Sequence, residues 1–309
     1  MGDFAQKVSD LENVIRSCGD VGAWERYVTP YWRKSVKCMY KDFDPLPDDF
    51  LRHSIVLEAF FVNGNDNWFQ PQRRWVEERA TPEEIALIAE DDFGAPLIRD
   101  TEWRTSHQMI HTLYHLLRYR ESTGVGVAGL VRSGRPLVVV EWGGGYGAMA
   151  KLLWRFACLY GVRLILVEID LPFMVTLQRT YLKEVFRDAE PSLVAVVPHP
   201  KISISTEEWL RDMISTSTPG VYFVPLGMEW PAIKADLFLS TWALSESTLA
   251  AQRLVGEDLR WFGAEHLLLG FQSPNEVFPL STAFGGFIPE GSRIEPLKHG
   301  PPENFYLFK

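Results

Sequence analysis

A short run of β-branched residues that leads directly into four glycines constrains the fold of this chain most. The segment reads P-L-V-V-V-E-W-G-G-G-Y-G-A-M-A-K-L-L over residues 136–153. A continuous apolar, β-branched run is typical of a strand that is buried on both faces. Glycines at the carboxyl end of such a strand let the backbone turn tightly and approach a ligand closely. The segment therefore predicts a strand, a glycine loop with a ligand site, and a helix.

The chain after residue 125 continues as alternating strands and helices. Apolar residues at helical spacing predict helices over residues 148–160, 171–186 and about 246–262. Short apolar runs predict strands over residues 136–140, 163–167, 221–226, 237–241, 266–271, 293–296 and 305–308. This alternation predicts an α/β fold with a Rossmann-like, doubly wound and mainly parallel sheet.

Residues 1–125 have a different pattern, that of helices joined by polar, aromatic-rich loops. Helices are predicted over residues 3–16, 49–62 and 102–119. The sequence T-P-E-E at 81–84 predicts the start of another helix, with a capping hydroxyl, a proline and a glutamate in the preferred places. Residues 63–75 are predicted to form a loop that could bind substrate. We therefore expect a helical N-terminal domain over 1–125, for substrate covering or dimerisation, and a Rossmann-like catalytic domain over 126–309.

Composition narrows the classes of partner. With 46% hydrophobic and 23% charged residues, the 309-residue chain is globular and not disordered. Its 31 basic and 40 acidic side chains give a net charge of −9, which disfavours nucleic acid as a partner. We expect a cytoplasmic protein without a membrane partner, because the chain shows neither a signal peptide nor a long apolar run. The three cysteines are far apart and predict neither a disulfide framework nor a zinc site.

The acidic residue at the end of the first strand distinguishes between two kinds of nucleotide cofactor. A dinucleotide fingerprint reads G-x-G-x-x-G and faces a pyrophosphate, whereas this loop reads E-x-G-G-G-x-G. Glu141 would repel a pyrophosphate but attract the sulfonium and amino groups of S-adenosylmethionine. At the end of the next strand, Asp170 is placed to accept both ribose hydroxyls. Glu168 is a rival ribose ligand because it points the same way, and Asp170 could alternatively cap the next helix.

Three segments resemble the class I S-adenosylmethionine-dependent methyltransferases. They are E-W-G-G-G-Y-G, V-E-I-D-L-P with the following Q-R-T-Y-L, and D-L-F-L-S-T-W-A-L-S-E. Over about residues 130–275 the chain is similar, more narrowly, to the sugar O-methyltransferase family. The resemblance implies a set of residues around the methionine, ribose, adenine and methyl parts of the cofactor: Glu141, Gly143, Gly145, Tyr146, Asp170, Leu226, Gly227, Met228, Thr241 and Trp242.

The resemblance does not supply a general base. Plant-type small-molecule O-methyltransferases carry a histidine–aspartate pair after the fourth strand, but the matching positions here hold Ser245 and Glu246. Glu246 is therefore a candidate base, because an alcohol must lose its proton during the reaction. The alternative interpretation of Glu246 is a first-turn carboxylate that the helix dipole favours.

A second candidate for the base lies on the helix predicted over 102–119. His107, His111 and His115 follow each other at intervals of four residues, so they share one arc of the helix with Arg118. Three interpretations remain open. The arc could be a solvated face, a metal site without a recognisable third ligand, or a face packed over the cofactor in which His111 or His115 is the base.

These observations predict an enzyme that methylates an oxygen of a sugar, a cyclitol or a related natural-product intermediate, with S-adenosylmethionine as cofactor and no metal. N-methylation remains open, because the cofactor motifs say nothing about the accepting atom. A nicotinamide-dependent oxidoreductase is the alternative from another class, and a binding protein without catalysis is a third. The aromatic-rich N-terminal region would also suit a homodimer interface.

Overall fold

The computed structural model describes residues 6–9, 13, 24–59, 66–132, 134–186, 192–195, 218–227 and 233–309. The helix predicted over residues 3–16 lies mostly outside these ranges, and so does Met228, one of the residues expected near adenine. Within the described ranges, no helix is long and apolar enough to cross a membrane.

Eight strands form one sheet, and two more form a small antiparallel ribbon. In chain order the strands are β1 (Ile98–Asp100), β2 (Thr105–Ser106), β3 (Leu137–Trp142), β4 (Leu164–Asp170), β5 (Ser192–Ala195), β6 (Gly220–Pro225), β7 (Leu237–Thr241), β8 (His266–Gln272), β9 (Arg293–Pro296) and β10 (Asn304–Phe308). The ribbon consists of β1 and β2. The order across the large sheet is β5-β6-β4-β3-β7-β8-β10-β9.

The large sheet is mainly parallel and doubly wound. Across the sheet, each neighbouring pair in the series β5-β6-β4-β3-β7-β8 is parallel. The strand β10 runs antiparallel to both β8 and β9. From β3 the chain moves outward through β4 to β5 and β6, and then crosses back to form β7 and β8 on the other side. The strand order therefore reverses between β3 and β7, which is where open α/β sheets bind their ligands. This topology confirms the predicted Rossmann-like fold class.

Helices cover the sheet and build most of the N-terminal region. They include α1 (Pro30–Asp42), α2 (Ser54–Ala59), α3 (Asp66–Glu77), α4 (Pro82–Ala86), α5 (His107–Thr123), α6 (Ala148–Tyr160), α7 (Pro172–Val185) and α8 (Leu249–Arg253). The predicted capping box opens α4, because Thr81 and Glu84 each accept the backbone N–H of the other. The helix predicted over 49–62 is shorter than expected, since the chain turns at His53 before α2 begins.

The prediction of a loop over residues 63–75 was wrong, because α3 occupies most of that segment. Pro71 lies inside the helix and removes one backbone hydrogen bond there. Burial of Phe69, Trp75 and Val76 on one face offsets this loss. The many hydrogen-bonding side chains suggested a loop, but the apolar spacing determined the structure.

The helix predicted over 246–262 is also different, since α8 covers only Leu249–Arg253. A wider π-type turn follows over Leu254–Asp258, and a 3-10 turn over Arg260–Gly263. Trp261 adopts a left-handed backbone with φ 57°, and its indole N–H donates to the carbonyl of Phe287 at 2.9 Å. Packing of this buried ring against its neighbours therefore interrupts the helix.

Helix α5 is buried on all sides, although its sequence is amphipathic. Its polar residues His107, His111, His115 and Arg118 are at most 2% exposed. The helix packs against α3, α6 and β10, so the face that carries the histidines is covered by protein. The interpretation of this face as a solvated surface was therefore wrong, because neighbouring elements cover what the helical pattern alone left open.

A buried ion pair connects the start of α5 to α6. Lys151 Nζ lies 2.6 Å from Glu90 Oε2, and both side chains are almost completely buried. The hydroxyl of Ser106 donates to the same carboxylate and also caps α5 by accepting the N–H of Met109 at 3.1 Å. This contact fixes the position of α5 relative to the helix that follows the glycine loop.

Candidate functional site

Two adjoining cavities lie at the carboxyl ends of β3 and β7. The larger has a volume of about 380 Å³, and the smaller has a volume of about 60 Å³. Of the residues predicted for cofactor or catalysis, the larger cavity is lined by Glu141, Gly143, Gly145, Tyr146, Thr241, Trp242, Glu246, His111 and His115. Asp170 and Leu226 line the smaller cavity, which shares Gly143, Gly145 and Glu246 with the larger one. Gly227 lies in the adjacent turn and lines neither cavity.

The glycine loop is packed too closely to carry side chains. Gly143 has φ 78°, in the left-handed region, and a Cβ at this position would collide with the Cβ of Ala243. At Gly144, a Cβ would collide with Oε2 of Glu168. The loop therefore exposes backbone to the cavities on one side and lies against buried carboxyl groups on the other.

Two buried glutamates lie opposite each other beneath this loop. Glu141 on β3 and Glu168 on β4 are register partners across the parallel pair. Burial, together with nearby Asp170, raises the pKa of Glu141 to about 7. Burial and the facing carboxyl of Glu141 raise the pKa of Glu168 well above its ordinary value. At least one member of the pair is therefore protonated at neutral pH.

Asp170 occupies the end of β4 and faces the smaller cavity. Its carboxylate accepts the backbone N–H of Leu171 and the side-chain amide of Gln178, both at 2.8 Å, and the N–H of Gly145. Burial nevertheless raises its pKa to about 7. Leu171, and not Asp170, occupies the N-cap position of α7, and the helix has no side-chain cap, so the capping alternative has no support in the structure. Glu168, the rival ribose ligand, lines neither cavity.

Trp242 follows β7 with a strained backbone. Its φ of 65° is rare for a residue with a large side chain. Two contacts hold it: its backbone N–H donates to Gly270 at 2.7 Å, and its indole N–H donates to Asn304 Oδ1 at 2.6 Å. The ring is fixed against His111, with a centroid distance of 5.4 Å. The strained residue thus lies in the wall of the larger cavity.

A buried amide determines which nitrogen of His111 carries the proton. The side-chain amide of Gln72 donates through Nε2 to the carbonyl of His299, so its Oε1 must point toward α5. This oxygen lies 3.1 Å from Nε2 of His107 and 3.1 Å from Nδ1 of His111. An amide oxygen only accepts hydrogen bonds, so Nδ1 of His111 is protonated and Nε2 keeps its lone pair. Among the described residues, Nε2 of His111 has no hydrogen-bond partner.

His111 and His115 are both neutral at physiological pH. Burial, with the neighbouring histidines, lowers the pKa of His111 well below its ordinary value. Burial alone lowers the pKa of His115 to about 3, and its Nδ1 lies 2.6 Å from the hydroxyl of Tyr306. No group of three or more His, Cys, Asp or Glu side chains in the described ranges is arranged to hold a metal ion.

Glu246 lies in the turn before α8, two residues ahead of the capping Thr248. The first-turn interpretation of this carboxylate is therefore not supported. Its Oε2 accepts the indole N–H of Trp32 at 2.9 Å, and the side chain of Gln272 also donates to it. Burial raises the pKa of Glu246 to about 7. A carboxyl with such a pKa, in the wall of both cavities, is suited to accept a proton.

Sequence reasoning missed three residues that line the larger cavity: Trp32, Glu58 and Gln108. Trp68, which also lines it, and Gln72, which orients His111, lie in the segment 63–75 that was expected to bind substrate. None of them forms a motif, because their proximity results from how α1, α2, α3 and α5 pack.

Comparison with known proteins yields only distant likenesses. No family model and no curated protein matches the chain. Three solved methyltransferase structures align with TM-scores of 0.34 and 12% identity. They are phosphoethanolamine N-methyltransferase 2 of Haemonchus contortus (73% of this chain, 46% of that chain), magnesium protoporphyrin IX methyltransferase of Synechocystis PCC 6803 (77% and 97%) and human N-acetylserotonin methyltransferase (85% and 73%). The chain thus spans less than half of the first of these. Because the scores are low, the fold class rests on the strand order alone.

Proposed function

We propose that this protein is an S-adenosylmethionine-dependent methyltransferase that acts on a small molecule. The observation that carries the proposal is the buried pair of Glu141 and Glu168 beneath the glycine loop. None of the ion pairs among the described residues includes either carboxyl group. A cationic ligand would stabilise the ionised form of such a pair. S-adenosylmethionine carries a sulfonium and an ammonium group, and when bound it supplies an electrophilic methyl group.

The residues present fit this cofactor. Oε2 of Glu141 is buried in the wall of the larger cavity and has no hydrogen-bond partner among the described residues. The residues that would hold the methionine and methyl parts are Glu141, Gly143, Gly145, Tyr146, Thr241 and Trp242. Asp170 would accept the ribose hydroxyls, and Leu226 and Gly227 would lie near the adenine. The smaller cavity, which Asp170 and Leu226 line, supports this division.

The buried carboxyl groups argue against a nicotinamide cofactor. A pyrophosphate at the glycine loop would lie close to the carboxyl groups of Glu141 and Asp170. Its negative charge would repel these groups in their ionised form. Ala148 also stands where the G-x-G-x-x-G fingerprint has its third glycine. A binding protein without catalysis is also a weaker candidate than a methyltransferase, because proton-accepting groups line the same cavity as the glycine loop.

The chain's own residues would align the acceptor and take its proton. Three candidates face the larger cavity: His111, His115 and Glu246. His111 offers an unprotonated Nε2, and Glu246 offers a carboxyl whose pKa of about 7 matches neutral conditions. Residues of the N-terminal region thus line the cavity in which we place the acceptor, which supports a substrate-covering role for residues 1–125.

The second part of the proposal concerns the atom that accepts the methyl group. O-methylation of a sugar, a cyclitol or a related intermediate follows from the sequence resemblance. N-methylation is the second candidate, and a specific observation favours it. The charged side chains that line the larger cavity are glutamates, without a lysine or arginine among the described lining residues.

Ligand-induced stabilisation tests the proposed function. S-adenosylhomocysteine at saturating concentration should raise the Tm, because a ligand that binds only the native state adds to its stability. NADH and NADPH should leave the Tm unchanged. Stabilisation by a nicotinamide cofactor, together with none by S-adenosylhomocysteine, would overturn the proposal.

A further inference from the structure

Three hydrogen-bond acceptors in the wall of the larger cavity have no partner among the described residues. They are Gln108 Oε1, His111 Nε2 and Glu141 Oε2, and all three atoms are buried. The amide of Gln108 is oriented by Thr112, whose Oγ1 accepts from its Nε2 at 3.4 Å. The hydroxyl of Thr112 itself donates to the carbonyl of Gln108 at 2.8 Å. The oxygen of the amide is therefore the atom that is left for a ligand.

Two of the indole donors in the same wall are already used within the protein. The indole N–H of Trp32 donates to Glu246, and that of Trp242 donates to Asn304. The amide of Asn304 in turn donates to the carbonyl of Pro302 at 3.0 Å. A ligand in this cavity thus meets three acceptors that need a donor, so its polar group should donate hydrogen bonds.

The charged and aromatic side chains of the larger cavity also favour a ligand that carries positive charge. Apart from Glu141, which faces the cofactor site, the larger cavity is lined by the carboxyl groups of Glu58 and Glu246. The rings of Trp32, Trp68 and Trp242 complete its wall. Indole faces attract cations through the ring quadrupole, most strongly where water is excluded.

We propose that the methyl acceptor is an amine that enters this cavity as an ammonium ion. The inference rests on the proposed function and names its substrate class. An ammonium group is a donor without lone pairs, which complements the leftover acceptors Gln108 Oε1 and His111 Nε2. Its charge complements the carboxyl groups of Glu58 and Glu246 and the tryptophan rings. A neutral sugar hydroxyl can donate to the same acceptors, but it has no charge for the carboxyl groups and the indole rings to attract.

Methyl transfer to an amine requires a group that takes a proton from the ammonium ion, and the cavity provides Glu246 for this. The bound ammonium gives one proton to the carboxylate of Glu246, which frees the lone pair of the nitrogen. The nitrogen then forms a bond to the methyl carbon while the carbon–sulfur bond breaks and its electron pair stays on sulfur. The positive charge moves from sulfur to the methylated nitrogen, and Glu246 returns its proton to solvent.

Binding of a matched pair of probes to the S-adenosylhomocysteine-saturated protein tests the inference. Calorimetry should show that 2-phenylethylamine binds at least about tenfold more tightly than 2-phenylethanol, a difference of about 1.4 kcal/mol. Glu246→Gln should remove most of this preference, whereas Glu257→Gln, at an exposed position outside the cavity, should keep it. Trp68→Leu should weaken binding of the amine more than that of the alcohol.

The outcomes separate this inference from the proposed function. If S-adenosylhomocysteine binds and the alcohol binds as tightly as the amine, or the amine fails to bind at millimolar concentration, the amine inference is overturned and the proposed function stands. If S-adenosylhomocysteine does not bind, the proposed function fails first. Binding of S-adenosylhomocysteine to each variant also shows that the variant is folded.

Discussion

Asp170 combines two tasks in one carboxylate. It accepts N–H groups from Leu171, Gln178 and Gly145, and it also faces the cavity in which we place the ribose. Replacement by alanine should remove a charge-assisted contact worth about 1.5–3 kcal/mol. We therefore expect Asp170→Ala to weaken binding of S-adenosylhomocysteine about 10- to 150-fold, as calorimetry would measure.

Glu168 provides the comparison for this experiment. It is a buried carboxyl on the same strand, two residues earlier, and lines neither cavity. Glu168→Gln keeps the size of the side chain and should change the affinity less than Asp170→Ala does. Unchanged affinity in Asp170→Ala, with a large loss in Glu168→Gln, would assign the ribose to Glu168.

Glu246 should determine the pH dependence of turnover. A base works in its ionised form, and burial raises the pKa of Glu246 to about 7. We therefore expect kcat to rise as the pH increases through about 7, and to be lost below it. Glu246→Gln should lower kcat by about 10²–10⁴ and abolish this limb of the profile.

His111→Gln serves as the matched variant for that profile. Because the pKa of His111 lies well below its ordinary value, the imidazole stays neutral across the neutral range. Its loss should lower kcat while the limb near pH 7 persists. A profile that loses this limb in His111→Gln but keeps it in Glu246→Gln would assign the base to the histidine.

At the scale of elements, the strands and the helices after the glycine loop could be predicted, but the cavity wall could not. The strand β7 and the helix α6 were predicted with their observed bounds, because short apolar runs and apolar helical spacing are local signals. The helix α3 was missed because the many hydrogen-bonding side chains of its segment suggested a loop. The helical spacing of His107, His111 and His115 was visible, but what covers them depends on distant parts of the chain.

The contact between α3 and α5 depends on one amide. Gln72→Leu would leave the N–H groups of two buried histidines and the carbonyl of His299 without this partner. Each buried unsatisfied group costs about 1–3 kcal/mol. We expect a clear fall in the free energy of unfolding, measured with urea.

Gln70→Leu provides the control on the same helix, because Gln70 is exposed. Its effect on the free energy of unfolding should stay within about 0.5 kcal/mol. Equal stability of the two variants would show that the amide of Gln72 does not hold the histidines.

For the whole molecule, the buried ion pair of Lys151 and Glu90, which connects the N-terminal region to the helix after the glycine loop, should be a main determinant of stability. Lys151→Met would leave the buried carboxylate of Glu90 without its ion-pair partner. Such a loss typically costs about 3–5 kcal/mol. We expect the free energy of unfolding to fall by this amount, and the double variant Lys151→Met/Glu90→Gln to recover part of it.

Lys183→Met tests whether the loss is specific to the buried pair. Lys183 is exposed on α7, so its replacement should change the free energy of unfolding little. If Lys151→Met were as stable as Lys183→Met, the stability of the protein would not depend on the ion pair of Lys151 and Glu90.

The place of β10 in the sheet has a consequence for how the protein is made. This strand is the last in the chain order, yet it lies between β8 and β9. Its Asn304 holds the indole of Trp242, and its Tyr306 contacts His115. Residues 304–308 must therefore leave the ribosome before the cavity wall can close, so a nascent chain carries its glycine loop before the larger cavity is complete.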